Sequence, residues 1–175
     1  MKKVLLSLVI LFLLTGSLSV LAQTDNLSSP GLTPDSPLYF LKAWKETIQT
    51  FFTFGAENKA KQYLYLAEVR LAEYQRMIEK GKTEIAQKIL EKYEKQLDHA
   101  IQKIEELRGK GKDTEDISQK IEDAIVKHTA VLERNLSKVP EAARKGIEKA
   151  LEVFSKAVEK IRSRPEKEKA CTDSG

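Results

Sequence analysis

From about Pro37 to Ile161, apolar residues return every three or four positions, the period of helices that bury one side. The first stripe is Leu38, Leu41, Trp44, Ile48 and Phe51, with Lys42, Lys45, Glu46 and Gln49 mostly between them, and it predicts a helix from about Pro37 to Phe52. Ser36 and Pro37 read as an N-cap and a first helical position, where proline gives up no hydrogen bond. Gly55 lets the chain turn into a second helix, about Ala56 to Lys80, with the line Ala60, Tyr63, Ala67, Leu71, Tyr74 and Ile78. Gly81 supplies the left-handed residue that ends it.

A third helix, capped by Thr83, carries Ala86, Ile89, Tyr93, Leu97, Ala100, Ile104 and Leu107. Gly109, Lys110, Gly111 and Lys112 break the pattern, and Asp113 or Thr114 caps a fourth helix. Its stripe is Ile117, Ile121, Ala124, Ile125, His128, Val131, Leu132 and Leu136. Pro140 opens a fifth at N1, displaying Ala143, Ile147, Ala150, Leu151, Phe154, Val158 and Ile161. Short loops make consecutive helices antiparallel neighbours. The expected fold class is therefore all-α: one domain over residues 37–162, an antiparallel bundle of four long helices with the shorter aromatic N-terminal helix packed on it. Ion pairs such as Glu91 with Lys95 and Glu152 with Lys156 add only ~0.2 to 0.5 kcal/mol each, so burial of the stripes decides the fold.

Both ends fall outside this pattern. Lys2 and Lys3 precede an apolar run from Val4 to Leu14, and small and hydroxyl residues lead to Val20-Leu21-Ala22. That layout is an export signal over residues 1–22 with cleavage after Ala22; the competing reading is an uncleaved N-terminal membrane anchor. The expected location is outside the cytoplasmic membrane: secreted, periplasmic or at the cell surface. Residues 23–36, with Pro30-Gly31 and Thr33-Pro34-Asp35, read as a flexible leader, and residues 163–175 as a disordered tail.

Composition narrows the function classes. Charged residues make up 32% of the 175, and the formal charge is +4, which falls to +2 once Lys2 and Lys3 are set aside. Both signs interleave along the helices, so no basic stripe faces a phosphate backbone and nucleic acid is not an expected partner. The single cysteine, Cys171, lies in the polar tail, which excludes an internal disulfide or a CxxC pair.

No residue constellation supports an enzyme, a cofactor or a metal. His128 lies on the fourth stripe, yet Ala124, Ile125, Val131 and Leu132 surround it, so the expectation is a core or boundary histidine with one hydrogen bond. His99, beside Asp98, reads as solvated. Glu105-Glu106 and Glu115-Asp116 read as solvated helix faces, and the Gly109–Lys112 segment lacks the spacing of a phosphate-binding loop. Gly146, inside the fifth helix, either permits close helix contact or is tolerated without purpose.

The informative place is the aromatic segment. Tyr39, Phe40, Trp44, Phe51, Phe52 and Phe54 are six of the eleven aromatic side chains that follow residue 22. The plain expectation is that these rings seal the bundle core. The sharper one is an interaction surface, lying on lipid or covering a groove that receives an apolar ligand or an unfolded segment. An extracytoplasmic structural or protein-interaction domain follows, with an unidentified envelope partner and peripheral membrane contact as expectations.

The string PGLTPDSPLYFLKAWKETIQTFFTF, Pro30 to Phe54, resembles the opening of an exported helical family catalogued as domain of unknown function 5667. Similarity continues through Arg70-Leu71-Ala72-Glu73, Lys127-His128 and Val139-Pro140-Glu141-Ala142-Ala143. The resemblance implies export and charged helices, and assigns no catalytic residue.

Overall fold

The computed structural model describes residues 27–163, so residues 1–22, expected as an export signal, Gln23 to Asn26, Cys171 and most of the tail lie outside the described residues. Among the described residues there are five helices and no strand. They are α1 (Tyr39–Phe51), α2 (Ala56–Glu79), α3 (Thr83–Gly109), α4 (Glu115–Leu136) and α5 (Glu141–Arg162). The helix starts differ slightly from expectation. Ser36 Oγ accepts a bond from the Leu38 N–H at 3.3 Å, but it closes a turn ahead of α1 instead of capping the helix. Pro140 stands at the N-cap of α5, one residue before the helix.

Glycine ends two helices by the same device. At Gly81 (φ 69°) the Gly81 N–H bonds Ile78 O at 2.9 Å and the Lys82 N–H bonds Met77 O at 2.8 Å. At Gly111 (φ 66°) the corresponding bonds reach Arg108 O at 2.9 Å and Leu107 O at 3.0 Å. Both are Schellman closures, in which a left-handed residue lets the chain reverse while satisfying otherwise orphaned carbonyls.

The four long stripes meet in one core. Tyr74, Met77, Ile89, Tyr93, Leu97, Ile104, Ile121, Leu132 and Ile147 are among its largest fully buried members. The bundle is two helical hairpins, α2–α3 and α4–α5, stacked so that α5 lies beside α3 and α4 beside α2. Contacts between α3 and α5 step along both helices in the same direction: Gln87 to Ala142 O at 3.2 Å, Glu94 to Lys149 at 3.2 Å, Glu105 to Lys160 at 3.6 Å. These two neighbours are therefore parallel, whereas Arg162 at the end of α5 meets Glu122 near the start of α4, as antiparallel partners do. Arg108 locks the far end. Its guanidinium donates to Lys160 O (3.1 Å), Ser163 O (3.4 Å) and Ile161 O, carbonyls that end α5, to Thr114 Oγ1 (3.1 Å) at the N-cap of α4 and to Ser118 Oγ (3.3 Å) within α4.

The segment expected as a flexible leader is, over its described part, tied to the bundle. Leu27 packs on the core, and Ser28 Oγ donates to Glu68 at 2.9 Å. Thr33 is buried, and Asp35 takes Lys80 and Lys82 at 2.8 Å each, which hold its carboxyl well below the usual range.

Candidate functional site

Helix α1 has two usable stripes. One is the apolar line expected to seal the core; the other is Tyr39, Lys42 and Glu46. The structure turns the second inward. No α1 residue is buried, and Leu38, Leu41, Trp44, Ile48 and Phe51 are all exposed, Trp44 by 65% and Phe51 by 74%. The core-sealing expectation is thus overturned. The physical reason lies on α2, where Arg70 and Glu73 face α1 and Glu73 is 0% exposed. Covering that pair with the apolar stripe would bury charges with too few partners, at several kcal/mol.

The polar stripe supplies the partners. The Tyr39 hydroxyl donates to Glu73 Oε2 at 3.0 Å and accepts from Arg70 Nη1 at 2.9 Å. Arg70 Nη1 also reaches both Glu73 oxygens, at 2.7 and 2.8 Å, while its Nη2 pairs with Glu46. Lys42 donates to Glu73, to Pro30 O and, at 3.2 Å, to Leu32 O, so the same ammonium fastens the leader. Two cations and two carboxylates thus cancel in a partly buried network. Burial raises the Tyr39 hydroxyl pKa, and the Glu73 charge adds to the rise. Burial by itself would lower that of Arg70, but Glu73 and Glu46 outweigh it and the net direction is up. Lys92 of α3, with Lys42 and Arg70, lies over the Tyr39 ring, 5.5 Å from its centroid.

Of the six expected surface aromatics, Tyr39 is therefore a latch residue and leaves the surface. Phe40, Trp44, Phe51, Phe52 and Phe54 remain on it, Phe54 exposed by 75%, and Phe51 and Phe52 touch edge to face with centroids 5.2 Å apart. Sequence reasoning missed Arg70 and Glu73. Their signal was an oppositely charged i, i+3 pair inside the apolar run Val69-Arg70-Leu71-Ala72-Glu73-Tyr74, where solvated charges do not belong.

His128 is fully buried and its Nδ1 lies 2.7 Å from the Tyr93 hydroxyl, while Nε2 has no hydrogen-bond partner among the described residues. The Phe154 ring also meets Tyr93, tilted against it with centroids 5.4 Å apart. Burial, with a smaller push from Lys127, lowers the His128 pKa to about 4. His99 is exposed beside Tyr63, 5.1 Å between rings. Glu106 sits between Lys103 and Lys110, each at 2.6 Å, and these bonds hold its carboxyl at about 2. Among the described residues no group of three or more His, Cys, Asp or Glu side chains could hold a metal ion. Two clefts, of about 660 and 420 Å³, are lined mainly by charged and polar residues of α3, α4 and α5 and include no α1 residue.

A helical bundle that carries an outward-facing aromatic helix on a charged latch is the class this geometry defines. The chain matches the family described as "Domain of unknown function (DUF5667)" over residues 31–142, and it belongs to that family. The match takes in the leader turn, α1 and its latch, and stops as α5 begins. Neither a curated protein nor a solved structure matches the chain.

Proposed function

We propose that this protein is an exported, non-enzymatic helical interaction domain whose working surface is the outward apolar face of α1. One observation carries the reading: α1 spends its polar stripe on the bundle and leaves its apolar stripe to solvent. A helix held only to complete a core would do the opposite. Contiguous exposed apolar surface of this kind marks interaction sites in soluble proteins. Export rests on the charged start, the Val4–Leu14 run and the small residues before Ala22.

Site-specific photo-cross-linking in the native envelope tests this. A photoreactive phenylalanine analogue at Phe51 is expected to capture a lipid or protein component, whereas the same group at exposed Lys88 on α3 captures none. Equal yields from the two positions, or none from Phe51, would remove the assignment.

A further inference from the structure

We infer that the occupant of the α1 face is the interfacial region of a lipid bilayer, with Phe40, Trp44, Phe51, Phe52 and Phe54 inserted among the headgroups and upper acyl chains. This rests on the reading above that the outward face of α1 is the working surface.

Charge is the first argument. From Tyr39 to Phe54 the sole exposed charged side chain is Lys45, because Lys42 and Glu46 are turned into the latch. The only carboxylate of α1 is thereby withdrawn from a surface where lipid would reject it. Elsewhere the bundle exposes dense charge of both signs, as on α3 and α5. The ring chemistry agrees, since tryptophan, phenylalanine and leucine make up the lipid-facing side of helices that lie in the interface.

Shape is the second. The five rings, exposed by 63 to 75%, stand on one short rod and the turn that follows it, with Leu38, Leu41 and Ile48 exposed beside them. A bilayer accepts such a convex face as it stands, because each inserted ring contributes by the area it buries. The helix is also too short to span: among the described residues no helix is long and apolar enough to cross a membrane. It suits a helix lying in the plane of the interface.

Chain geometry is the third. The N-terminal segment that contains the Val4–Leu14 run ends at Ala22, and Leu27 already packs on the bundle, so at most about 18 Å of extended chain separates them. Before cleavage, or as the uncleaved anchor of the competing reading, that segment would hold α1 within reach of the same membrane.

The test uses the chain from Gln23, which retains every described helix and buried residue, so that the run itself cannot mediate binding. Its folding is checked first by helical circular dichroism and a cooperative melt. Trp44 is the only tryptophan and reports directly. With phosphatidylcholine vesicles its emission is expected to shift to the blue and to be quenched by brominated acyl chains, in low and high salt alike. The F51S/F52S/F54S variant, altered only at exposed positions, is expected to keep its melt and lose vesicle binding by roughly tenfold or more. Tyr65→Ser with Val126→Ser, exposed apolar residues on α2 and α4, should bind as the parent does. An unmoved Trp44 emission overturns the inference, as does binding confined to anionic vesicles and abolished by salt. A blue shift that appears without vesicles as protein concentration rises makes the occupant a second copy and equally overturns it. Cross-linking from Phe51 to an envelope protein together with silent vesicles would sink the lipid assignment while leaving the interaction surface standing; silence in both experiments sinks both.

Discussion

At the scale of single residues, two positions inside helices carry opposite lessons. Gly146 lies inside α5, and a Cβ built there would meet Leu90 Cδ2 at 3.9 Å, an ordinary contact. Close approach therefore does not require glycine, and Gly146→Ala is expected to stabilise the fold by ~0.5 to 1 kcal/mol in urea denaturation, the usual helix-interior difference. His128 acts the other way. It stays neutral in the fold with its pKa lowered to about 4 from 6.5, so the unfolded chain binds the proton more readily. Its contribution is fully present above pH 6.5 and is lost as pH falls from there toward 4, by roughly 3 kcal/mol across the window. Stability measured by denaturation at pH 7 and pH 5 should differ by about 2 kcal/mol of this loss, and His128→Leu combined with Tyr93→Phe should flatten the dependence. An unchanged slope in the double variant would place the pH sensitivity elsewhere. The histidine's place on the stripe was legible from its apolar i±3 and i±4 neighbours; its tyrosine partner was not, because Tyr93 lies 35 positions away on another helix.

At the scale of elements, periodicity located every helix but chose the wrong face for one. The stripes of α2 to α5 are buried or half-buried as their spacing implies, because each meets other stripes of the same kind. The stripe of α1 has the same spacing and faces out. Periodicity says which residues share a side; it cannot say which side docks when a buried ion pair on another helix competes for the docked position. Since the latch is ionic, removing Glu73 should leave two cations sharing the single carboxylate of Glu46 in a partly buried site, a loss of about 3 kcal/mol. Glu73→Ala deprives Lys42 and Arg70 of their shared carboxylate and Tyr39 of its acceptor. Hydrogen exchange should then show fast amides across residues 39–51 while α2 to α5 keep their protection. Slowed or unchanged exchange in α1 would mean that something other than the latch holds it.

At the scale of the whole molecule, the order of the helices around the core departs from the expectation that consecutive helices are antiparallel neighbours, since α3 packs on α5 and not on α4. Sequential elements are usually neighbours, which would place α4 beside α3. Both helices present similar apolar stripes flanked by mixed charge, so their spacing fits either arrangement. Tertiary pairing decides it: α3 presents Glu94 and Glu105 to Lys149 and Lys160 of α5, and Arg108 reaches across to the carbonyls ending α5. The two acid–lysine pairs share a separation of 55 positions, the signature of parallel helices in register. Zero-length carbodiimide coupling joins a carboxylate to an amine only when they are already in contact. Mass spectrometry of the coupled monomer is expected to recover Glu94–Lys149 and Glu105–Lys160, and Lys149→Ala should delete the first link alone. A predominance of α3–α4 links would instead give the simple sequential bundle. The stacked order also matters for α1. Arg70 and Glu73 lie on α2, so the α2–α3 hairpin holds the latch while α4 and α5 close the core from the other side. The aromatic face is therefore presented by a scaffold whose core does not need it, which leaves it available for a partner.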